Sequence, residues 1–423
     1  MDSGPLIEPL PPTGAAARES PYAVLRHRDF SLYLIARFIA AMGQQMLTVA
    51  VGWELYERTN LPLALGLVGL TQMVPMVLFF LPAGHVADNY NRKRTILAMV
   101  FLATLSSLGL TVISVLRAEV VWVYCCLLAA GVARTFLWPA SQAFLPQLVP
   151  RRIFSRAVTW NTGAFQLSSV IGPAIGGKLI SLTQNAAMVY AINAATTLIC
   201  LGLIALVRGR QAVIVKQEMS FTRLLAGLKF VYQTKIILGT ITLDLFAVLL
   251  GGATALLPVY AKDILRVGPD GLGHLQAALP LGSVISALYL AHRPPLERAG
   301  RALIWAVTAF GMATIAFGLS KWFWLSFAML FICGAVDNVS VVVRHTLVQL
   351  LTPDEMRGRV SAVNSLFIGT SNELGGFESG SVANFFGPIF SVVSGGVGTI
   401  LVVIATALIW PEIRKYGRLD GSA

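Results

Sequence analysis

Charge is what this sequence has least of. Only 12% of its 423 residues are Asp, Glu, Lys or Arg, against 56% hydrophobic, so a soluble fold of this length would have too few polar groups to cover its surface. Lipid must cover it instead. Cysteine is scarce as well: Cys125, Cys126, Cys200 and Cys333 sit in apolar runs with no Cys-x-x-Cys or Cys/His spacing, which argues against a disulfide framework or a metal site. His274 and His345 lack a partner at ligand spacing and are expected to pack or hydrogen-bond. Residues 1 to 28, with Pro5, Pro9, Pro11 and Pro12, lack the basic-then-apolar order of a signal peptide and read as a disordered tail. A nucleotide site is also missing. Gly172 to Lys178 spells the start of a phosphate-binding loop, but Leu179 stands where Ser or Thr is required and no strand precedes it. With no cofactor expected, work across a membrane has to run on an ion gradient, most simply protons.

What the chain does have is long apolar runs. A helix crosses the hydrocarbon in about 20 residues, and twelve such runs are centred near Ala41, Met76, Leu105, Ala133, Ser168, Thr196, Val248, Gly282, Gly311, Asp337, Thr370 and Val397. They are numbered here as spans 1 to 12. The net charge of +12 suggests a nucleic-acid partner only until the charges are placed. With an internal N-terminus, 23 Lys and Arg fall on the cytoplasmic side and five (Arg58, Arg117, Lys262, Arg266, Lys321) face out. That bias predicts cytoplasmic termini in the inner membrane. No nucleic-acid partner is needed to explain the charge.

The sequence is a duplication. An ungapped shift of 203 residues carries Gly131 onto Gly334, Pro150 onto Pro353, Arg156 onto Arg359, Asn161 onto Asn364, Ser168 onto Ser371 and Gly172 onto Gly375. Six spans per copy leave both copies in one orientation, as parallel repeats about an axis along the membrane normal, with a substrate site at their seam. The expected fold is an all-α membrane protein: a tail (1–28), two pseudo-symmetric six-helix bundles (29–207 and 235–411), a cytoplasmic linker (208–234) and a C-terminal tail (412–423). In the linker, Phe221, Leu224, Leu225 and Leu228 fit an amphipathic helix on the inner leaflet.

Charges inside hydrocarbon are expensive unless paired or wetted, so they point to a cavity. Spans 1, 4, 5, 7, 10 and 11 hold Arg37, Glu54, Arg134, Lys178, Asp244, Asp337, Arg344, Glu373 and Glu378, whereas spans 3, 6, 9 and 12 hold cysteine and tyrosine at most. Helices 3, 6, 9 and 12 are therefore expected to face lipid, and helices 1, 4, 7 and 10 to line the cavity. Glu54 and Lys178 lie near span ends, where long side chains snorkel. The repeat places Asp337 opposite Arg134, leaving a structural ion pair and a substrate or proton role both open. Arg344 lies two turns from Asp337, at about the depth of Asp244, and that pair would close an inner gate. Glu373 and Glu378 point about 140° apart on their helix, one suited to packing and the other to carrying a proton. Met42, Met46, Met73 and Met76 read as core filler.

Two motifs carry a resemblance. Gly84-His85-Val86-Ala87-Asp88-Asn89-Tyr90-Asn91-Arg92-Lys93-Arg94 fills the loop after span 2: Gly84 would let helices approach, and Asp88 would face the positive N-terminus of helix 11. It resembles the signature loop of the major facilitator superfamily, with Asn89 and Asn91 where Arg and Gly are common. The resemblance implies that Asp88 and Arg92 latch the halves in the outward-facing state. Gly172-Pro173-Ala174-Ile175-Gly176-Gly177 in span 5 puts small residues on one face beside a helix-bending proline. It resembles the motif of the superfamily's exporters, which implies a part in preventing leak during proton antiport. Thr352 to Val360 with Asn364, and Asp244-Leu245-Phe246 with Gly251-Gly252-Ala253, are similar to the branch holding enterobactin exporters and macrolide-efflux-type antiporters.

The sequence therefore predicts a monomeric secondary transporter and no enzyme. Its partners would be a bulky organic substrate such as a siderophore or drug, protons and membrane lipids. A lipid flippase or a solute importer is the alternative. A non-transporting receptor has no use for acids buried in helices 7, 10 and 11.

Overall fold

The structure, a computed structural model, describes residues 22–208, 221–294 and 297–417, and these hold helices and no strand. Spans 1 to 6 are Arg28–Thr59, Pro62–Asn89, Arg92–Leu116, Val120–Phe144, Phe154–Thr183 and Ala187–Leu206. Span 7 is Lys235–Ile264, and spans 8 to 12 are Gly268–Ala291, Ala299–Leu319, Phe323–Leu351, Asp354–Phe386 and Pro388–Ile409. Ten of them are long and apolar enough to cross a membrane by length and composition. The other two, spans 5 and 11, are among the longest, at 30 and 33 residues, but too polar to pass that test. They occupy equivalent places in the two copies, and both lie on the seam.

The duplication is visible in the packing. Gly172 of span 5 lies against Gln45 of span 1, and Gly375 of span 11 lies against Val248 of span 7; one shift of 203 relates both partners. Spans 2 and 11 pack together across the seam, as do spans 5 and 8. Spans 3 and 6 pack on helices of the first half, and spans 9 and 12 on helices of the second. Their outer faces carry exposed Phe101, Leu105, Leu198, Trp305, Leu401 and Ile404, as expected of helices that meet lipid.

The hydrophobic core differs between the two ends of the bundle. At the end away from the termini a single cluster joins both halves, Met46, Ala50 and Leu55 from the first with Leu256, Tyr260 and Leu272 from the second. At the end carrying the termini the clusters are separate: one around Phe30, Tyr33 and Phe144, and two confined to the second half. The halves are closed on each other at one end and parted at the other.

Two glycine pairs permit that closure. A Cβ built on Gly177 of span 5 would sit 2.9 Å from the Gly273 Cα of span 8, and one built on Gly380 of span 11 would sit 2.6 Å from the Gly66 Cα of span 2. Gly177 and Gly380 are themselves related by the 203-residue shift. Span 7 breaks at Gly251-Gly252 and continues as a 3-10 turn (Ala253–Leu256) and a π turn (Tyr260–Ile264). A Cβ on Gly252 would meet the Ser379 Oγ of span 11 at 2.7 Å. Irregular backbone at this depth is tolerated because protein surrounds it.

Two boundaries differ from those expected. Folded structure begins before residue 29, since Val24 is buried beside Phe30 in the first half's own core. It also continues past residue 411: Pro411–Lys415 is helical, Ile413 is fully buried, and the Ala299 N–H donates to the Gly417 carbonyl at 3.1 Å. An apolar Ile413 and backbone pairing hold this segment on spans 7 and 9. The linker helix Phe221–Gln233 docks on the second half, with Val231 buried against Ile237, Val348 and Val360 while Leu225 and Leu228 stay exposed. The side chains of Phe221 and Leu224, and residues 1–21, 209–220 and 418–423, lie outside the described residues.

Candidate functional site

Arg134 lies midway along span 4 and donates through a guanidinium nitrogen to a Glu373 carboxylate oxygen of span 11. This pair replaces the Arg134–Asp337 pair that the repeat suggested. Symmetry-related positions face each other across the cavity, whereas span 11 packs beside span 2 and so brings Glu373 within reach of span 4. The Arg134 side chain is 53% exposed and that of Glu373 16%. The bond is therefore made at the wall of the space between the halves.

A second ion pair lies wholly within the C-terminal half. The Arg344 guanidinium of span 10 donates to the Asp244 carboxylate of span 7, and both side chains are buried, at 4% and 8% exposure. Asp337, half-buried two turns away on the same face of span 10, is within electrostatic reach of both. Arg344 Nε and Asn338 Nδ2 are buried without a hydrogen-bond partner. Two carboxylates thus lie within reach of one guanidinium, which bonds Asp244 alone. One guanidinium balances one carboxylate, so the triad is electrically neutral only when a proton sits on one of the two acids.

The remaining polar positions separate by depth. Glu378 is half-buried and accepts from Ser379 Oγ at 3.3 Å. Arg37 is half-buried, lies within electrostatic reach of Tyr33 and of Cys200 of span 6, and has no carboxylate partner among the described residues. Glu54 does not snorkel: it is 8% exposed and paired with Arg58 at 3.2 Å. The core that joins the halves encloses it, which supplies the pairing an interface would have made unnecessary. Lys178 does lie at the surface, 3.8 Å from Asp270 of span 8. His274 bonds the Asp270 backbone carbonyl at 2.9 Å, and His345 is exposed.

At the open end, Asp88 is exposed and has no ion-pair partner among the described residues. Arg92 donates instead to the backbone carbonyls of Ala87 and Asp88, at 2.9 and 3.0 Å, and so caps span 2. Asn91 caps span 3, its side chain accepting from the Arg94 N–H at 3.2 Å, a task a glycine there would leave undone. Gly84 was expected to let helices approach, but a Cβ there would meet nothing within 4 Å. The parted halves leave it in open space. In span 5, Gly172 lies against Gln45 and Gly176 against Met46 of span 1, while Gly177 crosses to span 8. Met46 is buried in the core that joins the halves with Met42 packed against it, and Met76 packs on Gly369 of span 11.

The closed end holds residues that the sequence reading did not single out. Tyr56 Oη of span 1 donates to an Asp263 carboxylate oxygen of span 7, and Lys262 Nζ donates to Asn60 Oδ1 at 2.7 Å. Lys262 also lies 5.3 Å from the Tyr56 ring centroid, within cation–π range. The 203-residue shift carries Asn60 onto Asp263, so the signal was present in the repeat.

The sequence profile of the family described as Transmembrane secretion effector matches residues 19–418. The chain belongs to this family of major facilitator transporters. It is 26% identical over 391 residues to the enterobactin exporter EntS of Escherichia coli O1:K1, covering 92% of this chain and 94% of that protein. Among solved structures it resembles a POT family transporter in complex with a thioalcohol-conjugated peptide (TM-score 0.72, 12% identity, covering 91% of this chain and 96% of that one). It also resembles a bacterial homologue of the human lysosomal transporter Spinster (TM-score 0.70, 13% identity, covering 94% and 97%). These likenesses establish the fold. The protein is a multi-pass membrane transporter and not an enzyme.

Proposed function

We propose that this protein exports a bulky organic compound, such as a siderophore or drug, across the inner membrane in exchange for protons, by alternating access. The observation that carries the reading is the triad of Asp244, Asp337 and Arg344 in the wall of a space closed at one end and open at the other. If the 23 inward Lys and Arg place the termini in the cytoplasm, the open end faces the cytoplasm and the protein is poised to load. Rocking that opens the protonated acid of the triad first to one side of the membrane and then to the other would load and release that proton, which couples the cycle to the gradient. The 26% identity to an enterobactin exporter favours a siderophore-like compound over a solute for import.

In the outward-facing state the open end closes, and Asp88 and Arg92 meet span 11 as a latch beside Gly84. Gly172, Pro173, Gly176 and Gly177 hold the helix contacts that must stay sealed against proton leak. A flippase is the second reading, favoured by one observation. A largely apolar cleft of about 310 Å³, with Thr370 and Ser371 as its polar lining, opens on the flank of spans 2, 7 and 11 between Val77, Leu249, Phe367 and Leu374.

The deciding experiment is efflux from proteoliposomes under an imposed proton gradient, with iron-free enterobactin, a macrolide and a fluorescent lysophospholipid as cargo. Gradient-dependent movement of the siderophore or the macrolide, abolished by a protonophore, supports export. Movement of the lipid alone overturns it in favour of flipping.

A further inference from the structure

The intramembrane charges are segregated by half. The first half contributes Arg37 and Arg134, and the second contributes Asp337, Glu373 and Glu378 beside the Asp244–Arg344 pair; Arg134 and Glu373 meet across the space between the halves. The other charges of the first half, Glu54 and Lys178, belong to the closed end, where Arg58 and Asp270 neutralise them. One wall is cationic and the other acidic.

The two cations lie at one depth. Arg37 is nine residues from the start of span 1, and Arg134 is ten residues from the end of span 4. At a rise of about 1.5 Å per residue, each is roughly 14 to 15 Å in from the open end. Arg37, Ala41, Gln44 and Thr48 share one face of span 1 at helical spacing, and Gln44 and Thr48 are exposed on it. The other faces of that helix are occupied, Gly43 by Thr196 and Asn193 of span 6, and Met46 by Gly176 of span 5.

Arg134 is also under-used where it stands. A guanidinium offers five N–H donors in a planar fork that suits a carboxylate held through both oxygens. The bond to Glu373 uses one nitrogen and one oxygen, and half the side chain remains open to the cavity. The bond also crosses the seam, so rocking of one half on the other must break or reshape it.

We infer that Arg134, assisted by Arg37, anchors an anionic group of the exported compound, and that Glu373 is the resident counterion which that group displaces. The inference rests on the export reading and names its substrate class, an organic anion. Displacement gives the substrate a mechanical role. By taking Glu373's place on Arg134 it unties span 11 from span 4, and so lowers the barrier to rocking only when cargo is aboard.

The test measures binding to the purified full chain with three probes of one shape: naphthoate, naphthamide and naphthylmethylammonium. Wild-type protein should bind the anion in preference to the amide and the cation. Arg134→Gln should weaken naphthoate binding about 10-fold to 100-fold, the range of a hydrogen bond to a charged group, with Arg134→Lys intermediate. Glu373→Gln should do the opposite and strengthen it several-fold, because the anion no longer competes with a carboxylate. A purely structural tie would make both neutralised variants fail alike, so weakened naphthoate binding in Glu373→Gln overturns the inference, as does equal binding of all three probes by wild type. Failure of the inference leaves efflux in the proteoliposome assay intact, whereas failure of the export reading leaves the siderophore and the macrolide unmoved.

Discussion

Arg344 of span 10 and Asp244 of span 7 form an ion pair buried on both sides, in a half whose counterpart has no such pair among the described residues. The shift of 203 relates Asp244 to Ala41 and Arg344 to Ser141, so the duplication kept the positions but gave the charges to one copy. Removing one partner strands a buried charge. Arg344→Leu should therefore destabilise the protein by about 3 to 5 kcal/mol, and the double change Asp244→Leu with Arg344→Leu should recover much of that loss. Thermal unfolding of the detergent-purified variants measures both. A double variant no more stable than Arg344→Leu would remove the pair from the account of stability.

The glycine contacts at the closed end predict a conformational bias. Gly177→Leu or Gly380→Leu overpacks a contact in which backbone meets backbone, at a cost typically of about 1 to 3 kcal/mol. Because about 1.4 kcal/mol is tenfold in an equilibrium, either change should shift the population strongly toward opening at that end. A cysteine introduced at Asn60 should then label faster from the outside than in the otherwise unchanged protein. Unaltered labelling in both variants would show that the closure does not depend on these contacts.

Much of this was legible in the chain, for identifiable reasons. The 203-residue repeat is a covalent record of pseudo-symmetry, and the packing keeps it: Gly172 and Gly375 lie against the equivalent positions Gln45 and Val248. It misleads about Arg134 and Asp337 because symmetry relates positions without putting them in contact. Arg134 found its partner on span 11, a neighbour set by helix packing. Glu54 read as interfacial because depth along a helix carries no information about which face is enclosed. The Tyr56–Asp263 and Lys262–Asn60 contacts escaped notice because loop charges were counted for their sign alone.

Asp88 should matter to transport and little to binding. It is exposed in the present state, so Asp88→Asn removes nothing here and weakens only the state in which the open end has closed. A charge at a helix N-terminus contributes about 0.3 to 1 kcal/mol, and more when partly buried. Efflux rate should fall several-fold while substrate affinity in detergent stays unchanged. Lost affinity with an unchanged rate would assign Asp88 to the binding site.

Orientation is checked by accessibility. Single cysteines at Arg266 and Lys321 should react with an impermeant maleimide from the periplasm, and one at Arg151 only after permeabilisation. The reverse pattern would invert the topology and make the open end outward-facing.

The central claim is that an intramembrane acid couples proton entry to export, with Asp337 first among Asp244, Asp337, Glu373 and Glu378. Its most direct test is Asp337→Asn in proteoliposomes, assayed twice: for cargo accumulation driven by a proton gradient, and for exchange of labelled against unlabelled cargo with no gradient. Accumulation should disappear while exchange persists, because the substrate site and the rocking of the halves survive without a proton carrier. If Asp337→Asn and the three other neutralised variants, tested singly, all still build a cargo gradient from a proton gradient, coupling does not reside in these carboxylates.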